Sequence, residues 1–73
     1  MKLYYEVEYI RKSNLKSCAD VFPTKAAAFK LTRDPSIIWE RVLEVWPNGG
    51  RRIIVENPDA PEAERLILAE LFQ

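Results

Sequence analysis

The stretch Ile37-Ile38-Trp39-Glu40-Arg41-Val42-Leu43-Glu44-Val45-Trp46-Pro47-Asn48-Gly49-Gly50-Arg51-Arg52-Ile53-Ile54-Val55-Glu56 decides the fold. Aromatic and β-branched residues recur on both sides of Pro-Asn-Gly-Gly. This is the pattern of a β-hairpin whose Asn-Gly supplies positive φ in the turn. Period two places Ile37, Trp39, Leu43 and Val45 on one face, interrupted by Arg41. Ile38, Glu40, Val42, Glu44 and Trp46 fall on the other. Glu40 and Glu44 are positioned to pair across the hairpin with Arg51 or Arg52, at roughly a few tenths of a kcal/mol per pair.

Upstream, Leu3, Tyr5, Val7 and Tyr9 alternate with Tyr4, Glu6, Glu8 and Ile10, which predicts a half-buried strand. Ser13-Asn14 signals a turn, and residues 15–22 return as a weaker strand whose Lys16, Ser17 and Asp20 suit a sheet edge. Pro23 closes it. Thr24 then caps a helix over 25–33, with Ala27, Ala28 and Leu31 on one face and Phe29 pointing elsewhere. Asp34-Pro35 ends that helix, because the residue before proline avoids the helical region. After the hairpin, Asn57-Pro58 breaks the strand. Asp59-Ala60-Pro61-Glu62 reads as a helix start, Asp59 as N-cap and Glu62 closing a capping box, followed by a helix to about residue 72. The order β-β-α-β-β-α predicts one α+β domain over residues 1–73, a four-stranded antiparallel sheet with two helices packed on one face.

A chain of 73 residues, 48% apolar, has room for one core. Its 11 basic and 11 acidic groups cancel overall but not locally. Residues 1–36 carry seven basic against four acidic groups, and residues 37–73 reverse that ratio, which favours a dipolar surface. The chain has no His, so the commonest general base and metal ligand are missing. Cys18 stands alone; it has no disulfide partner and no His to activate it, and reads as a small buried hydrophobe in a reducing, cytoplasmic setting. Glu6 with Glu8, and Glu40 with Glu44, lie at same-face strand spacing, but nothing singles out either pair for acid–base work. Gly49-Gly50 is a turn, not a phosphate cradle. The expectation is a non-enzyme with no cofactor and no metal. No apolar run exceeds four residues, and acidic groups crowd the start of the chain, so neither a membrane span nor a signal peptide is expected.

Three surfaces stand out. In the last helix Ala63, Leu66, Ile67 and Leu71 form a stripe able to dock on a sheet, while Leu68 and Phe72 fall about 100° or more from its centre. Those two either close the edge of the core or form a self-association surface, through which a homodimer is expected. A protein-binding set combines Tyr4 and Trp46 on the strand faces that carry glutamates, Arg41 in an apolar register, and Arg51 and Arg52 at the hairpin base. Finally, Arg11, Lys12, Lys16, Lys25, Lys30 and Arg33 face only Asp20 between residues 11 and 33, a patch suited to nucleic-acid phosphates. A pI near 6.2 and the absence of any known nucleic-acid motif place that reading second.

The first strands, the entry Val21-Phe22-Pro23-Thr24-Lys25-Ala26-Ala27-Ala28 and the hairpin together resemble small phage-encoded α+β proteins, among them anti-CRISPR and other anti-defence inhibitors. The resemblance is one of architecture and covers roughly residues 3–56. It implies a non-enzymatic protein that blocks a larger host complex by occupying a surface, and it transfers no functional residue to this chain.

Overall fold

A computed structural model describes residues 2–72. Six elements follow in the expected order: strands β1 (Tyr4–Arg11) and β2 (Ser17–Phe22), helix α1 (Lys25–Leu31), strands β3 (Ile37–Val45) and β4 (Arg51–Glu56), and helix α2 (Ala60–Leu71). All neighbouring strands pair antiparallel in one sheet of order β2-β1-β3-β4, giving an α+β domain. β1 and β3, richest in aromatic and branched residues, take the centre, and the more polar β2 lies at an edge.

Local chemistry sets the connections. Between β1 and β2, Asn14 Oδ1 accepts the Lys16 N–H at 3.0 Å, and Leu15 sits at φ 54, in the left-handed region. At the β3–β4 turn Gly49 adopts φ 90 and donates its N–H to Trp46 O at 3.0 Å, while the Trp46 N–H donates to Gly50 O at 2.8 Å. Glycine takes that conformation without steric cost. The Thr24 hydroxyl accepts the Ala27 N–H at 3.2 Å and starts α1. That helix stops two residues short of Arg33, where the Thr32 hydroxyl donates to Phe29 O at 2.6 Å. Asp34 then accepts the N–H and hydroxyl of Ser36, and these bonds hold its carboxyl below the usual range.

The main core lies between α1 and the sheet. Fully buried Ala28 lets the helix settle on Val7, Tyr9, Ile37 and Val42, with Phe22, Leu31, Trp39, Ile54 and Val55 around them. Phe29, expected to point away, joins this rim.

One extra residue changes the pattern of β3. Arg41 pairs with Glu8 and Trp39 with Tyr9, so Glu40 is left over as a β-bulge, and β4 slips similarly at Ile54. Beyond the bulge the faces exchange. Val42 joins Ile37 and Trp39 beneath α1, whereas Arg41, Leu43 and Val45 share the opposite face with Ile38. The uninterrupted alternation expected from the sequence is therefore corrected at Glu40.

The exchange also decides where the helices go. They do not share a face, which corrects the one-sided packing expected from the sequence. α1 covers the side of Val7 and Tyr9, and α2 packs on β3 from the other side, forming a groove with Ile10 and Leu15. The reason is that Ile38 and Leu43 point away from α1 yet are 4% and 7% exposed, so the second face also needs cover. The molecule is long: 50 × 19 × 18 Å, with a radius of gyration of 13.4 Å. A compact chain of this length has about 11 Å. Its accessible surface of 5137 Å² likewise exceeds the roughly 4650 Å² usual for this mass.

Ala28 has no free space above it, so Ala28→Leu should lower the unfolding free energy by about 1–3 kcal/mol in urea titration. Ala26→Leu, on the exposed side of the same helix, should leave it nearly unchanged.

Candidate functional site

α2 is held chiefly at its first turns. Asn57 is the anchor: its Nδ2 donates to Trp39 O at 2.9 Å, its N–H donates to Glu40 O at 2.8 Å, and its Oδ1 accepts the Asp59 N–H at 3.1 Å. Asn57 thus ties the start of the helix to the bulge. Asp59, expected as the N-cap, makes no side-chain capping bond. Glu62, expected to close a capping box, instead accepts from Arg65 Nε at 3.0 Å; that hydrogen bond lowers its pKa.

Ala60 is buried and Ala63, Glu64 and Ile67 are half-buried, which defines the docked side of α2. Leu71 stands three turns beyond Ala60 on this same side, yet it is 55% exposed, because the helix has run past the sheet. Leu66, expected in the docking stripe, is 52% exposed on one flank, and Leu68 is 47% exposed on the other. Phe72 is 83% exposed. The expected stripe is therefore corrected to Ala60, Ala63, Glu64 and Ile67. The free end of α2 is more apolar on its surface than the sequence implied, and Leu68 and Phe72 are only part of it.

At the root of this end lies a groove lined by Ile10, Leu15, Pro61, Glu64, Arg65 and Leu68. Leu15 keeps its half-buried side chain there in a backbone conformation that costs a non-glycine residue roughly 1 kcal/mol.

The sheet face beside α2 carries an ion-pair lattice. Arg41 binds Glu8, and Arg51 binds Glu6 while its Nη2 lies 3.3 Å from Glu8. Exposed Tyr4, Val21 and Ile53 flank the charges. Of the five residues expected to bind a partner, Tyr4, Arg41 and Arg51 lie on this face. Arg52 lies on the α1 side, 3.0 Å from the buried Glu44, and half-buried Trp46 follows β3 at the turn. The set is thus divided between faces rather than gathered. Glu44 does pair with Arg52 across the hairpin, but Glu40 pairs with neither arginine and faces Glu64 instead.

The basic residues gather in part. Arg11 and Lys12 line one cleft and Lys30 and Arg33 its neighbour, with Leu31 and Asp34 common to both. Lys25 is at the opposite end of α1 and Lys16 beyond the β1–β2 turn. Asp20 and Asp34 sit among these cations. In the same region the Tyr9 hydroxyl donates to Asp20 Oδ2 at 3.0 Å, and burial, reinforced by Asp20, raises the phenol pKa. Half-buried Cys18 packs against this core edge.

Among the described residues no group of three or more His, Cys, Asp or Glu could hold a metal ion. Among them, too, no helix is long and apolar enough to cross a membrane. Compared with known proteins, the chain matches no family model, no curated protein and no solved structure.

Asn57→Ala removes both side-chain bonds of the anchor. It should cost about 1–3 kcal/mol and raise hydrogen exchange in α2 more than in β1 or β3. An equal rise everywhere would mean that Asn57 supports the whole fold and not the helix.

Proposed function

We propose that the protein is a small non-enzymatic protein–protein interaction module whose contact surface is the free end of α2. One observation carries this reading: Leu66, Leu68, Leu71 and Phe72 are all about half exposed or more at one projecting end. Contiguous exposed apolar side chains on a small protein mark interaction sites. Leu66 and Leu68 lie on opposite flanks, so a flat partner cannot cover both. The shape suits a groove that receives a helix end, with Phe72 and the leucines as anchors. A second copy of the chain can supply part of that cover, which is the homodimer reading. An inhibitor that occupies a surface of a larger host complex, as the resemblance to phage-encoded inhibitors implies, would use the same peg.

The nucleic-acid reading has narrower support. Arg11, Lys12, Lys30 and Arg33 neighbour one another, but Asp20 and Asp34 stand between them and would weaken a phosphate site.

Sedimentation of the wild type and of a Leu68→Asp, Phe72→Asp variant tests the proposal, together with capture from a native host lysate. The wild type should self-associate at high micromolar concentration or retain a protein partner. The variant should lose either behaviour while keeping its circular dichroism and unfolding midpoint. A strict wild-type monomer whose captured partners survive the double change would overturn the assignment of this surface. Retention of nucleic acid that falls steeply with salt and is lost on Lys12→Glu, Arg33→Glu would favour the second reading.

A further inference from the structure

The contact between α2 and β3 contains two carboxyl groups and too few donors. Glu40, extruded by the bulge, faces Glu64 on the docked side of α2. Glu64 Oε1 is buried and, among the described residues, has no hydrogen-bond partner. A buried acceptor left unpaired is costly, and two facing carboxylates repel each other. The surrounding charges do not relieve this. From β3, Arg41 faces Glu40 but is engaged by Glu8 of β1, with Glu56 of β4 also nearby. Cys18 of β2 lines the same cleft as Glu8, Glu40 and Arg41. On α2 itself, Arg65 is bonded to Glu62.

We infer that Glu40 and Glu64 form a latch that holds α2 against the sheet, the protonated Glu40 carboxyl serving as the donor that Glu64 Oε1 lacks. In the docked helix the Glu40 carboxyl holds that proton. When that proton leaves, two carboxylates face each other and the contact loosens, while Asn57 keeps the start of the helix tethered to β3.

The direction of the pH dependence follows. Burial first, and Glu64 second, raise the Glu40 pKa above the ordinary carboxylate value. A carboxyl raised in the docked state contributes fully below its undocked value, and the contribution is lost as pH rises through the docked one. α2 therefore holds most tightly at acid pH and loosens as pH rises through the raised Glu40 value. Loosening would bare Ile10 and Ile38 together with the inner side of the helix, so the proton sets how much apolar surface the molecule offers.

Hydrogen exchange of the intact protein between pH 4 and 8, read as protection of α2 amides relative to β3 amides, tests the latch. Protection in α2 should fall with rising pH, by up to about tenfold for every pH unit by which docking displaces the titration. Glu40→Gln supplies a neutral donor to Glu64, and relative protection should become flat with pH. Glu64→Gln, which offers its amide to Glu40, should do the same and serves alone if the first variant does not fold. A wild type with pH-independent relative protection would overturn the inference, as would folded Gln variants that keep the full decline.

Discussion

Glu40 is the residue on which the arrangement turns. By occupying a bulge it moves every later side chain of β3 to the other face. Val42 drops beneath α1 with no surface exposed, and Arg41 rotates out to meet Glu8. The apolar residues of the strand are thereby redistributed: Ile37, Trp39 and Val42 serve one side and Ile38, Leu43 and Val45 serve the other. A four-stranded sheet with two partly apolar faces cannot be closed by helices on one side. The separation of α1 from α2 covers both faces, and the long axis fits the projection of α2 past the sheet.

The two helices are attached differently. α1 is short but central, with fully buried Ala28 and a rim of larger side chains. α2 is longer and leans on small residues, Ala60 and Ala63, with an asparagine anchor and a carboxyl pair in place of a broad apolar contact. Local stability tracks the number of buried contacts, so α2 belongs to the more easily opened part of the molecule. The same helix carries the largest unsatisfied apolar surface. A loosely held element with anchors at its tip is suited to recognition, because it can adjust to a partner without disturbing the main core.

Much of the framework was legible in the residues. The hairpin around Asn48-Gly49, the alternation of β1 and the Thr24 cap each rest on local chemistry, and each formed at the expected place. The edge position of β2 followed from its polar residues. What stayed hidden depends on long-range pairing. No local pattern distinguishes Glu40 as a bulge from Glu40 as an ordinary outward residue, so simple alternation misplaces the faces of β3, which the pairing with β1 interrupts. The orientation of α2 was lost with them. Asn57 reads first as a strand breaker, although an asparagine before a proline is also a turn former that can bond to neighbouring backbone. Leu15 gave no sign of its left-handed backbone, a conformation more often found in glycine or asparagine. The surplus of apolar side chains in α2 was visible at once. Its full extent required knowing where the sheet ends.

The most direct check on the two-faced architecture is a nuclear Overhauser map of the methyl and aromatic groups in solution. Methyl groups of α2 should show contacts to Ile10, Leu15 and Ile38, and those of α1 to Val7 and Val42, with no cross-peaks between the helices. Contacts from α2 to Val55, Phe22 or Phe29 would place both helices on one face and contradict the account.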